Sequence, residues 1–284
     1  MQHYGKVQTA QVNVPTGIRH PAIVWRSLPS RRERTPSRLQ TAGDEGPPAH
    51  NLIVPLAYRA SCCTLLPVST TIPSHGVPTL TVDDVGQRYG QLLLFRHVTF
   101  TLSGGTSLAV TGANGSGKST LLRILAGVLT PKKGDVTLEV DGEDIPRETH
   151  PLHVGLVAPY LNVYDDLSAR ENLQFLARTR RLDDGASKIP EALDRVGLGG
   201  RETDLVGTYS SGMKQRVKYA AALLADPPLL LLDEPSANLD AAGLEMVDAV
   251  MERQQSSGRL LVVATNLPDE AARCDREVRI EDNR

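Results

Sequence analysis

Cysteine is scarce. Of the three in the chain, Cys62 and Cys63 are adjacent and Cys274 stands far away, an arrangement that gives neither a disulfide framework nor paired C-x-x-C metal ligands and points to a reducing compartment. Long apolar runs are missing as well: nothing approaches the roughly 20 residues of a membrane-spanning helix, and the stretch from Ala220 to Leu232 is cut by Asp226, Pro227 and Pro228. A charge excess is also lacking. With 31 basic against 33 acidic side chains the formal net charge is −2, so no global field attracts nucleic acid or an anionic membrane, and no nucleic-acid partner is expected.

The charge is unevenly placed. Residues 1–77 hold 8 basic and 3 acidic side chains and 9 of the 19 prolines, which would interrupt any regular element repeatedly. The Ser30–Arg38 run has the Arg and Ser content of a nucleic-acid arm or a transit peptide, but its prolines and Glu33, Asp44 and Glu45 argue against an acid-poor amphipathic helix. Methionine is rare too, the second being Met213. Residues 1–77 are therefore expected to be disordered or to lie outside the native protein, with a native N-terminus near Val77, and residues 78–284 to form the folded domain.

From Thr79 the pattern changes. Leu80, Val82 and Val85, then Leu92–Leu94 and Val98–Leu102, predict an antiparallel entry sheet. Ser107–Thr111 reads as a buried strand, Gly112–Gly117 as a glycine-rich turn and Lys118–Val128 as a helix. Strand, loop and helix in this order turn Gly112-Ala113-Asn114-Gly115-Ser116-Gly117-Lys118-Ser119-Thr120 into a phosphate-binding P-loop of the form G-x-x-x-x-G-K-[ST]. Its glycines let backbone N–H groups converge on phosphate oxygens, and the helix start adds its positive dipole end. Lys118 would reach the β and γ phosphates and Ser119 would ligate Mg²⁺.

Leu229–Leu232 is an unbroken apolar run ending in Asp233 and Glu234, as suits a parallel strand buried on both faces whose carboxyl end meets a ligand. Asp233 would hold the metal, and Glu234 would accept a proton from an attacking water. A last strand is expected at Glu277–Ile280, leaving a minimal nucleotide-binding unit.

Between these motifs lies Tyr209-Ser210-Ser211-Gly212-Met213-Lys214-Gln215-Arg216, followed by a helical run, Val217–Ala225. Alone, Ser210 reads as an ordinary N-cap. It stands 23 residues before Asp233, however, and Ser236-Ala237-Asn238-Leu239-Asp240 follows. Together these resemble the signature and D-loop of ABC ATPases, and the resemblance covers about residues 78–284. It implies an α/β fold: a P-loop NTPase core with a mostly parallel sheet, an antiparallel β subdomain and a helical subdomain at about 158–220. It also implies that Tyr89 stacks on adenine, that Ser210 and Gly212 bind the γ-phosphate of ATP held by a second ABC ATPase subunit, identical or related, and that hydrolysis needs this dimer.

In the signature, Tyr209, Ser211 and Met213 depart from the family's commonest L-S-G-G-Q, while Ser210 and Gly212 are kept. Two further positions break the pattern. Ala158 or Pro159 stands where a Q-loop glutamine belongs, with Asn162 as a substitute if the loop curls back. Asn266 replaces the histidine after the last core strand, keeping a hydrogen-bond donor but not a titrating one. ATP binding should survive, with hydrolysis slow. The chain is similar to haem-exporter-type subunits of cytochrome c maturation, which implies an ATPase subunit peripheral on the cytoplasmic face of the cell membrane, docked on a separate transmembrane permease. A soluble ATP-driven switch, such as an iron–sulfur assembly ATPase, is the alternative.

Overall fold

The computed structural model describes residues 77–283; the expectations for residues 1–76 lie outside the described residues. Two long strands open the fold, β1 (Thr79–Tyr89) and β2 (Leu92–Ser103), paired antiparallel. The two apolar runs expected at 92–94 and 98–102 are one strand, carried past an interruption where His97 takes φ 58° and the register shifts. The chain continues through β3 (Ser107–Thr111), α1 (Lys118–Leu125), β4 (Lys133–Val140), β5 (Glu143–Ile145), α2 (His150–His153) and β6 (Val154–Val157). Three helices follow, α3 (Ala169–Thr179), α4 (Gly185–Asp194) and α5 (Ser211–Leu223), then β7 (Leu229–Asp233), α6 (Ala241–Ser256), β8 (Leu260–Thr265), α7 (Pro268–Ala271) and β9 (Arg276–Arg279).

These strands make a four-stranded antiparallel sheet, ordered β2-β1-β4-β5, and a five-stranded parallel sheet, ordered β6-β7-β8-β3-β9. With α3, α4 and α5 as the helical part, the expected α/β architecture is present. Helix α1 stops at Leu125, short of the expected Val128, because Gly127 turns left-handed at φ 74° and the Val128 N–H closes back on the Arg123 carbonyl. No larger residue fits there: a Cβ on Gly127 would come within 2.7 Å of the His150 Cβ. Helix α5 begins earlier than the apolar run suggested, since Ser210 caps it by accepting from the Met213 N–H at 3.2 Å.

Side chains alternate across a strand, and the parallel sheet uses this to separate two cores. Leu229 and Leu231 of β7, with Leu260 and Val262 of β8, pack toward α1 and the antiparallel sheet beside Leu80, Phe95 and Leu122. Leu230 and Leu232, with Leu261 and Val263, face α3–α6 beside Leu173, Ile189 and Tyr219. Every residue of β7 and β8 is buried, which is why both read as unbroken apolar runs. At about 1.5–3 kcal/mol for each fully buried aliphatic side chain, this two-sided sheet fixes the strand ends where the site is built.

Candidate nucleotide site

The parallel register brings four strand ends to one edge. Thr111 pairs with Thr265, Asp233 with Ala264, and Val157 with Leu232, so the residues just beyond them emerge side by side. Beyond β3 the chain turns through Gly112, Gly115 and Gly117 at φ 145°, 79° and 113°, a region side chains other than glycine's rarely enter. Gly117 caps α1, and a Cβ there would press to 3.0 Å on the Phe95 ring. The loop is thus clamped from above by β2. Gly115 faces open space, while Asn114 is exposed.

Lys118 is almost fully buried, and its ammonium donates to the Gly112 carbonyl at 2.8 Å and the Ala113 carbonyl at 3.2 Å. These bonds curl the side chain over its own loop and put a full charge beside the first-turn N–H groups of α1, where Ser119 and Thr120 sit half-buried. The Ser116 hydroxyl is buried and finds no partner among the described residues.

Asp233 ends β7. It is buried, and neither carboxylate oxygen has a hydrogen-bond partner among the described residues. Burial pushes its carboxyl above the usual range; neighbouring Ser119, Lys118 and Arg123 pull it back, while Glu234 adds to the rise. A buried carboxylate with two free oxygens beside a hydroxyl-bearing residue fits an oxygen-ligated divalent cation such as Mg²⁺. Glu234 follows in the left-handed region at φ 51°, its N–H donating to the Ala264 carbonyl at 2.9 Å. The turn behind it is held by the buried Tyr219 hydroxyl, which donates to the Pro235 carbonyl at 3.0 Å.

Asn266 emerges beyond β8 and donates through Nδ2 to Asn114 Oδ1 of the phosphate loop at 3.4 Å. Lys118, Asp233, Glu234 and Asn266 are therefore gathered along one edge. Tyr89 stands at the turn end of the β1–β2 hairpin that clamps Gly117, paired with Leu92, and it is 49% exposed, so it is not a core residue. Ser210 and Gly212 lie elsewhere, at the start of α5: Ser210 is exposed, and Gly212 approaches the Asn238 carbonyl, 3.5 Å from where its Cβ would be. No hydrogen bond among the described residues joins them to the phosphate loop. Buried Tyr209 anchors this start through its hydroxyl, which donates to the Arg201 carbonyl at 2.6 Å.

Beyond β6, Ala158 is buried and Pro159 exposed. Asn162 makes no hydrogen bond to Asp233; it lines a cavity of about 460 Å³ with Lys214, Gln215 and Asn238. Instead the loop is tied to α1 by the Arg123 guanidinium, 4.1 Å above the Tyr160 ring centroid. Sequence reasoning also missed two acids beside the phosphate loop. Glu281 Oε1 accepts from the Ala113 N–H at 2.7 Å, and Glu277 Oε1 accepts from the Thr111 hydroxyl at 2.6 Å. Their spacing in a last strand-like run was visible, but the pairing of β9 with β3 was not.

Residues 95–237 match the family model described as ABC transporter. The cytochrome c biogenesis ATP-binding export protein CcmA of Mesorhizobium japonicum is 39% identical over 193 residues, covering 66% of this chain and 92% of its own. The Nod factor export ATP-binding protein I of Rhizobium meliloti is 32% identical over 220 residues, covering 75% of this chain and 65% of its own. Among solved structures, cbiO1 from Clostridium perfringens, described as part of the ABC transporter complex cbiONQ, superposes with a TM-score of 0.60 at 26% identity, over 71% of this chain and 84% of that one.

Proposed function

The chain belongs to the ABC transporter family as one of its ATP-binding, ATP-hydrolysing subunits, and we propose that it powers export through a separate membrane subunit, with the residues gathered at the parallel sheet's edge as its catalytic site. One observation carries the proposal. A lysine-bearing phosphate loop, a buried carboxylate with both oxygens free and a second acid stand at the aligned ends of adjacent strands.

On this reading the N–H groups of Gly115–Thr120 and the Lys118 ammonium hold the β and γ phosphates of ATP, and Tyr89 offers its exposed ring to the adenine. Asp233 and Ser119 would hold Mg²⁺, which when bound would supply charge neutralisation at the phosphate oxygens. Glu234 takes the proton of the attacking water as its oxygen bonds to the γ-phosphorus and the bond to ADP breaks, giving ADP and phosphate. Asn266 donates to a γ-phosphate oxygen but carries no titrating group, and the loop of residues 158–168 after β6 holds no glutamine. Turnover should therefore lie below the enzyme median of about 10 per second.

Ser210 and Gly212 stand apart from the loop of their own chain, so they would close on ATP held by a second subunit. They bring to it the N-terminal end of the 13-residue helix α5. No helix among the described residues is long and apolar enough to cross a membrane; contact with the bilayer is assigned to a permease, with the chain peripheral on its cytoplasmic face. The export direction and the cytochrome c biogenesis subtype rest on the likeness to CcmA.

Equilibrium ATP titration of wild type, Lys118→Ala and Glu234→Gln tests the site. Lys118→Ala should lose binding, and Glu234→Gln should keep it while losing turnover. If Glu234→Gln hydrolyses ATP at the wild-type rate, its role as base is wrong.

A further inference from the structure

The peptide that follows Glu234 is held from outside the site at two points. On one side the Tyr219 hydroxyl of α5 donates to the Pro235 carbonyl at 3.0 Å. On the other, the Ser236 hydroxyl donates to Glu270 Oε1. Glu270 belongs to α7, the short helix whose N-cap, Leu267, follows Asn266 directly. Ser236 and Glu270 are 34 residues apart, and their bond joins the turn beyond β7 to the turn beyond β8.

The setting of Glu270 is unfavourable for a carboxylate. Only 7% of the residue is exposed, Ser236 is the one donor that reaches its carboxylate among the described residues, and Oε2 is buried without a partner there. After burial, its charge is what pushes the ionisation of the nearby Tyr219 hydroxyl upward. Replacing a buried, poorly satisfied charge by an apolar group of similar volume is often neutral or stabilising. Stability therefore does not explain this carboxylate; what it adds is a directional bond to Ser236.

We infer that Glu270 is a positioning residue for hydrolysis: through Ser236 it sets the Glu234 turn against the Asn266 turn, holding the acceptor of the water's proton and the donor to the γ-phosphate at a fixed separation. Buried as it is, it acts through backbone, since Ser236 is two residues beyond Glu234 and Glu270 four beyond Asn266. Aligning a base and a donor matters to the transition state more than to ATP binding, so the bond should show in kcat and not in affinity. This rests on the hydrolytic reading above.

Steady-state ATPase rates, ATP Kd values and melting temperatures of the full chain and its variants test it. Glu270→Met keeps the length and removes the charge; it should lower kcat about tenfold, leave Kd within about twofold and melt at or above wild type. Glu270→Gln retains an acceptor for Ser236 and should recover most of the rate. Ser236→Ala, at a half-buried position, should lower kcat by the same factor as Glu270→Met, and the double variant should lose no more than either alone. Ser236→Ala at the wild-type rate, or losses that multiply in the double variant, overturns the inference, as does a Glu270→Met chain that melts well below wild type. Glu234→Gln, measured alongside, separates the two readings. If it hydrolyses ATP at the wild-type rate, the base assignment falls and the inference with it; if it is inactive while Ser236→Ala is unimpaired, only the positioning role falls.

Discussion

Asn266 Nδ2 and Asn114 Oδ1 face each other at 3.4 Å across the mouth of the phosphate loop, although 152 residues separate them in sequence. The contact places the residue after β8 where a γ-phosphate oxygen would compete for its N–H. Neither amide titrates near neutral pH. Asn266→Ala is predicted to leave the Kd for ATP within about twofold and to reduce kcat about tenfold, the loss of one donor worth roughly 1–1.5 kcal/mol in the transition state. Asn266→His should add a step in kcat near the ordinary imidazole value, about pH 6.5, that the wild type lacks. A pH–rate profile of the three proteins decides it; an imidazole-like step already present in wild type would contradict the assignment.

What could be read in the sequence was what lies close together along the chain. Lys118 and Ser119 follow their glycines directly, and Asp233 and Glu234 end an apolar run, so strand, loop and acid were legible from local order. The end of α1 was not, because Val128 and Leu129 continue the apolar spacing, and it is the left-handed turn at Gly127 that stops the helix. Contacts across the sheet were invisible for the same reason. Glu281 meets Ala113 over 168 residues because β9 pairs with β3, and a strand order of β6-β7-β8-β3-β9 is not written in any single segment. Arg180, in the run Arg178-Thr179-Arg180-Arg181, looks like its solvated neighbours until the fold brings its Nη2 to the Val154 carbonyl of β6, to which it donates at 3.0 Å.

Asp233 makes a prediction about pH. Its carboxyl is raised by burial above the ordinary 3.8, so without metal the native state holds the proton more tightly than the unfolded chain does. For a raised acid, the stabilising contribution is full below the unfolded value and is lost as pH rises through the native one. Asp233→Asn should therefore melt higher than the metal-free wild type at neutral pH, by about 2–4 °C for each kcal/mol relieved in a domain of this size. The gap should close as the medium is acidified. Adding Mg²⁺ should raise the melting temperature of wild type and leave Asp233→Asn unchanged. Scanning calorimetry with and without Mg²⁺ measures both; a metal-free Asp233→Asn that melts below wild type would show that the buried charge is compensated by something else.

The turn carrying Glu234 depends on Tyr219. Its hydroxyl is fully enclosed and donates to the Pro235 carbonyl at 3.0 Å; the Glu270 charge and, above all, burial push its ionisation far up, so it remains a donor at every accessible pH. Tyr219→Phe keeps the ring and orphans the carbonyl, a change predicted to cost about 1–2 kcal/mol of stability and to lower kcat more than ATP affinity, since Glu234 lies next to the loosened peptide. Urea unfolding together with steady-state kinetics separates the two effects. A Phe variant of unchanged stability would mean that water replaces the lost donor.

Glu281 acts on the phosphate loop from outside it. By accepting from the Ala113 N–H at 2.7 Å, its carboxylate fixes the first peptides of a loop whose Gly112 and Ala113 carbonyls also receive Lys118. Releasing one end lets the lysine and its acceptors wander together, which weakens phosphate binding before it affects chemistry. Glu281→Ala is predicted to raise KM for ATP about three- to tenfold, as expected for a charge-assisted bond exposed to solvent and worth about 1 kcal/mol, with kcat nearly unchanged. Glu281→Gln retains an acceptor of the same reach and should recover most of the affinity. Because the group is exposed, added salt should shrink the difference between wild type and Glu281→Gln but not that between Glu281→Gln and Glu281→Ala. Equal KM values for all three proteins would show that the loop holds its shape without this tether.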